Sequence, residues 1–280
     1  MLTLTLIGLL ATCGARGVNN CPHTNVKNNF KYEKEILKDG IEMVYQLAIN
    51  NNENTLFFSY SKDYTDINSA YINLTSNEFG IISGINGGFA NAVDNENNIV
   101  YLTGSNGIYT FDQESKTAEY FAANDSIIVA MFYKEKLYFT TSDEKAFTLE
   151  DGVSKEIPQL VGTSAKLVAV DKNNNLFFSN YSGLFKVVKE DFEFKGDYRV
   201  YSFSVDANGK VYFSTQDNVY VIDDTNDTIE TIFAKTMIRH ACTKLDHIAI
   251  DGDNIIVEEY SDVGNINIVK LKKIDQVCDE

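Results

Sequence analysis

Arginine is scarce in this chain. Only Arg16, Arg199 and Arg239 occur, against 40 acidic residues and a net charge of −16. A guanidinium pairs a carboxylate bidentately and stacks on a flat ring. Arg199 and Arg239, with His240 beside the latter, are therefore the candidate basic spot for an acidic ligand. The repeated carboxylates read differently. Asp94, Asp171, Asp206 and Asp251 each end an aliphatic run and precede an Asn- or Gly-rich turn. Such side chains bond their own backbone two residues on, so turn formation is preferred over a metal or catalytic role. There is no Gly-x-Ser-x-Gly elbow, Cys/His zinc cluster or Gly-rich phosphate loop. His23, His240 and His247 are scattered. The expectation is a binding protein with no catalytic residue, bound metal or required cofactor.

The elements that must position these residues repeat. Leu56-Phe57-Phe58, Val100-Tyr101-Leu102, Leu137-Tyr138-Phe139, Leu176-Phe177-Phe178, Val211-Tyr212-Phe213 and Ile255-Ile256-Val257 share one pattern. Their spacing approaches the ~40–45 residues of a four-stranded propeller blade. In four repeats the strand before each trio is aliphatic and ends in the recurrent Asp. The third repeat, Met131–Lys136, closes its turn without one. Third strands follow at Ala70–Leu74, Gly107–Phe111, Ala146–Leu149, Gly183–Val187, Val219–Ile222 and Ile266–Leu271. Outer strands are traced at Thr117–Phe121, Ser154–Ile157 and Thr228–Phe233. The pattern predicts an all-β, six-bladed propeller. Phe30–Leu37 alternates and has no blade of its own, so it is expected to close the last blade as its outer strand, with Tyr45–Ile49 opening the first. A helix over 31–39 is the rival reading.

Residues 1–17 read as a signal peptide, an apolar run followed by small residues, and 18–280 as one domain. An oxidising compartment would let two of Cys21, Cys242 and Cys278 pair. Cys21–Cys278 is preferred because it ties the ends together, leaving Cys242 as a small buried hydrophobe. Sequons at Asn73, Asn124, Asn180 and Asn226 are candidate glycosylation sites. A polyanion of this charge repels phosphate backbones and anionic lipid, which sets aside nucleic acid and electrostatic membrane docking. The expectation is a secreted, extracellular monomer.

Several runs resemble the insect ommochrome-binding proteins. They are Glu35-Ile-Leu-Lys-Asp-Gly40, Asn54-Thr-Leu-Phe-Phe-Ser-Tyr-Ser61, Ala92-Val-Asp94 with Ile99-Val-Tyr-Leu102, Gly107-Ile-Tyr-Thr-Phe-Asp112, and Met131-Phe-Tyr133 with Phe139-Thr-Thr-Ser-Asp-Glu-Lys145. The resemblance covers nearly the whole mature chain. It implies a secreted haemolymph carrier that binds an ommochrome (a tryptophan-derived phenoxazinone of the xanthommatin or ommatin type) without a covalent bond.

The default ligand site of such a propeller is the mouth of its central channel. Arg199 and Arg239 both precede an innermost strand, in neighbouring repeats, and an ommochrome is planar, aromatic and acidic. Tyr60, Phe89, Tyr181 and Tyr201 stand at matching loop positions, and His240 adjoins Arg239. The alternatives are an extracellular propeller module that binds a protein, or a calcium-dependent propeller lactonase or esterase. The last needs carboxylates and Asn pointing into the channel, whereas the inner strands here are mainly Ala, Val, Ile, Met and Phe.

Overall fold

A computed structural model describes residues 30–61, 66–223, 225–235, 243–261 and 265–275. The expected leader over 1–17, the three body cysteines, Arg239 and His240 lie outside those residues.

The chain opens with β1 (Phe30–Ile41). The first blade follows as β2 (Met43–Val44), β3 (Ala48–Asn50), β4 (Thr55–Ser61), β5 (Ile67–Asn73) and β6 (Phe79–Ile81). The second is β7 (Gly87–Asp94), β8 (Ile99–Gly104), β9 (Gly107–Asp112) and β10 (Thr117–Ala123). The third is β11 (Ile128–Lys134), β12 (Lys136–Thr141), β13 (Ala146–Glu150) and β14 (Val153–Glu156). The fourth is β15 (Leu167–Val170), β16 (Leu176–Asn180), β17 (Gly183–Val188) and β18 (Asp191–Gly196). The fifth is β19 (Ser202–Val205), β20 (Val211–Ser214), β21 (Asn218–Asp223) and β22 (Thr228–Ala234). The sixth is β23 (Thr243–Asp251), β24 (Asn254–Tyr260) and β25 (Ile266–Asp275), completed on its outer edge by β1. Inner strands β3, β7, β11, β15, β19 and β23 contact one another in turn, and β23 returns to β3, so the six blades form a closed ring. The outer-strand role expected of residues 30–37 is observed: β1 pairs antiparallel with β25 from Phe30↔Asp275 to Ile41↔Ile266. That excludes the rival helix and covers the sheet edge that an open array would leave.

The hydrophobic trios bury both faces of each second strand. Successive residues point to opposite faces, and each face meets a different neighbour. Phe57 packs between the first and second blades, while Phe58 packs between the sixth and first. Phe177 faces the fifth blade and Phe178 the third. The core is thus six inter-blade layers, one per junction.

The first turn of each blade needs a residue with positive φ. It is Asn54, Asn98, Glu135, Asn174, Gly209 or Gly252, which accounts for the Asn/Gly-rich segments. The recurrent Asp residues close these turns. Asp94 accepts from the backbone N–H groups of Glu96 and Asn97 at 3.0 and 3.1 Å. Asp171 accepts from those of Asn173 and Asn175 at 2.8 and 2.9 Å, and Asp206 from those of Asn208 and Lys210, both at 2.9 Å. Asn50 does the same in the first blade. Asp251 instead pairs with Lys270.

Two details depart from the sequence reading. The first inner strand is split: Tyr45–Leu47 interrupts it, and the Gln46 side-chain amide bonds the backbone N–H and carbonyl of Met131 on β11. The outer strands β6 and β18 went untraced, because one is three residues long and the other is largely exposed.

Candidate functional site

Strands alternate in direction within each blade. The connections leading into the inner strands therefore emerge on the same face as those joining second to third strands. That face is the mouth of the channel. In three blades the residue leading into the inner strand occupies the same place. The backbone N–H groups of Tyr45, Lys166 and Tyr201 donate to the carbonyls of Ser59, Ser179 and Ser214 at 2.8, 2.8 and 2.9 Å.

On this face two adjacent blades repeat one arrangement. In the fourth blade Tyr181 is 79% exposed, and the Lys166 ammonium lies 3.3 Å from its ring centre. In the fifth the exposed Arg199 guanidinium lies 5.5 Å from the Tyr201 ring centre. Adjacent blades thus each present a cation over a tyrosine face. Beside them the third and fourth blades expose Ile127, Val129 and Val161. Such an arrangement can bind a flat, partly apolar molecule bearing negative charge.

The remaining candidates are distributed as follows. Phe89 is half-buried, edge-to-face with Tyr45 at 4.9 Å, and joins the first and second blades at the mouth. Tyr60 packs on Phe58 and Phe79 of its own blade, and burial raises its phenol above the ordinary value. Arg239 and His240, the expected partners of Arg199, lie outside the described residues. Of the sequons, Asn124 and Asn180 stand on the mouth face, and Asn73 and Asn226 on the opposite one. Lys166 was missed by sequence reasoning, although its place immediately before an inner strand matches that of Tyr201.

Two polar groups deeper in the structure were also missed. Asn91 on β7 is fully buried. Its amide donates to the Gln46 carbonyl at 2.9 Å, and its Oδ1 has no protein partner among the described residues. In the sixth blade Glu258 is fully buried where the other blades carry Ser59, Thr103, Thr140, Ser179 and Ser214. Its carboxylate meets His247 Nδ1 at 2.7 Å and Lys244 Nζ at 3.4 Å, and Lys244 also binds Asp246 at 2.6 Å. Burial works against the charged Lys244, but Glu258 and Asp246 outweigh it and hold the ammonium above the usual lysine value. β23 loses register with β24 between Lys244 and Ala249, and that irregularity carries His247. The signal in the sequence was the Glu that replaces the repeated Ser or Thr. Among the described residues no group of three or more His, Cys, Asp or Glu is placed to hold a metal ion.

No protein-family model matches the chain. The chain is 36% identical over 271 residues to the Ommochrome-binding protein of Manduca sexta, a match covering 92% of this chain and 93% of that one. Among solved structures, a gluconolactonase of Xanthomonas campestris aligns with TM-score 0.59 and 13% identity, over 87% of this chain and 90% of its own. An auxiliary nutrient binding protein of Bacteroides thetaiotaomicron aligns with TM-score 0.60 and 10% identity, over 89% and 74%. At those identities what is shared is the propeller fold.

Proposed function

The chain belongs to the ommochrome-binding protein family, and we propose that it is a secreted, non-covalent carrier of an ommochrome pigment held at the mouth of the propeller channel. The observation that carries this reading is the identity to a relative named for that ligand, along nearly the full length of both chains. The mouth chemistry supports it. Arg199 and Lys166 are the cations for the pigment's carboxylate, Tyr181 and Tyr201 the rings against its flat face, and Ile127, Val129 and Val161 the apolar border. Phe89 and Tyr45 hold the opposite lip, and Tyr60 supports the first blade behind it. Arg239 and His240, outside the described residues, are the proposed partners of Arg199. On this reading the protein is not an enzyme, needs no cofactor, and acts as a monomer in haemolymph after loss of residues 1–17, with Cys21 and Cys278 paired.

The test is a visible-absorption titration of the purified chain with xanthommatin. Arg199→Ala combined with Arg239→Ala should weaken binding by roughly 100-fold or more, since each charge-assisted contact is worth about 1.5–3 kcal/mol, or about 10–100-fold. Unchanged affinity refutes the mouth site, and no binding by the wild-type chain refutes the pigment reading.

One observation favours a second reading. A buried carboxylate orienting a part-exposed imidazole, as in Glu258 and His247, is an arrangement that serves general-base hydrolysis. A lactonase of that kind would hydrolyse gluconolactone and lose the activity in His247→Gln. A carrier shows no turnover in either form.

A further inference from the structure

A second site lies away from the mouth, in the junction between the second and third blades. It begins with a defect repeated in the outer strands. In β10 the pairing passes from Tyr120↔Tyr109 to Ala122↔Ile108 and leaves Phe121 unpaired. The same bulge leaves Leu37 unpaired in β1, Lys195 in β18 and Ile232 in β22. A bulge re-aims its side chain, and here it turns the residue toward the next blade.

In three junctions the next blade covers that side chain. Leu37 is buried among Val44, Leu47 and Leu56 of the first blade. Ile232 packs on the cluster containing Leu245 and Val269 of the sixth. Lys195 has its side chain 8% exposed and pairs with Asp227 of the fifth. Phe121 is the exception. It remains 46% exposed and forms one wall of a cleft of about 770 Å³, a volume typical of small-molecule sites.

The cleft is lined for a flat ring. Phe121 lies 5.7 Å from Tyr101, which stacks on Tyr133 at 5.7 Å with planes 15° apart. Leu137 and Leu149 supply apolar surface from the third blade. The polar rim is acidic. Glu150 is engaged by Lys136 at 2.7 Å and Lys155 at 3.2 Å; Glu135, exposed and only loosely met by Lys134 at 4.0 Å, and Asp151 are the carboxylates placed to meet a ligand. Beside them Gly152 offers open space where a side chain would stand.

We propose that this inter-blade cleft binds a planar aromatic molecule bearing an amine or other cationic group, stacked on Phe121 with its cation toward Glu135 and Asp151. Its charge preference is the reverse of the mouth's, and it does not rest on the pigment reading. The probe is proflavine, a planar aromatic cation, titrated into the full chain by fluorescence at 0.15 M salt. Phe121→Ala should weaken binding about tenfold, the scale of one ring-stacking contact. Phe121→Leu, which keeps apolar bulk in the strand and removes only the flat ring, should also weaken it. Glu135→Gln with Asp151→Asn should weaken it roughly threefold, as expected for exposed charges; both replacements tolerate the local turns. Phe194→Ala removes a ring of the fourth blade that is somewhat more exposed than Phe121 and should leave affinity unchanged. Unaltered binding in both Phe121 variants overturns the proposal. So does an equal loss in Phe194→Ala, because the cation would then be held by the diffuse negative field, and so does tighter cleft binding by anthracene-2-carboxylate.

Discussion

Ring closure by β1 rests on the inward side chains Leu37 and Ile41, and Leu37→Ala tests it. Leu37 is 7% exposed and packs with Val44, Leu47, Leu56 and Ile72 of the first blade, whereas its neighbour Ile36 is 51% exposed. Truncating a buried Leu removes its transfer free energy and leaves a cavity, about 2–5 kcal/mol in total. The residual exposure and the strand's edge position place Leu37 near the middle, about 3 kcal/mol. For a domain of this size each kcal/mol moves the melting midpoint by about 2–4 °C, so Leu37→Ala should melt roughly 6–12 °C below wild type. Ile36→Ala, one residue away in the same strand, should stay within about 0.5 kcal/mol. The assay is thermal unfolding by circular dichroism at fixed pH, with urea midpoints as a second measure. Equal effects from the two substitutions, or no effect from Leu37→Ala, would show that β1 does not lock the first and sixth blades together.

Other outcomes follow from the same geometry. Glu258→Ala leaves His247 without its carboxylate and Lys244 with Asp246 alone, and should cost about 3 kcal/mol, the lower end for breaking buried ion pairs; a cost below 1 kcal/mol in urea titration would contradict the pairing. Lys166→Ala should weaken xanthommatin binding roughly 5–30-fold through its loss from the Tyr181 face, on the 1–2 kcal/mol scale of cation–π contacts, with the melting midpoint unchanged. Asp112, Asp143 and Asp223 are held below the usual carboxylate value by hydrogen bonds, chiefly from Ser115, Thr141 and Asn226 respectively. A depressed folded-state value stabilises the fold above the unfolded pKa of about 4 and is lost as pH falls through the folded value. Melting midpoints should therefore hold from pH 6 to about 4 and then drop. A midpoint that stays constant down to pH 2.5 would show these turns do not matter.

Local patterns in the chain determined its architecture. Trios such as Leu56-Phe57-Phe58 must be buried on both faces, which only a stack of neighbouring sheets provides, and their spacing counts six blades. Asp94, Asp171 and Asp206 announce their turns because an Asp bonds its own backbone nearby, so no distant residue is needed. The alternation of 30–37, with no partner strand of its own, likewise marked the closing strand. The site was less legible, because its groups meet only when the ring closes. Arg199 and Tyr201 are two residues apart and could be read together. Lys166 and Tyr181, 15 apart, meet across a strand pair whose register no local pattern states. His247 finds Glu258 through a bulge, and Gln46 reaches Met131 across the channel. Phe121 reads as an ordinary outer-strand aromatic. Only the packing of the third blade against the second leaves it facing an open cleft, because whether a bulged side chain is covered depends on the volume its neighbour brings.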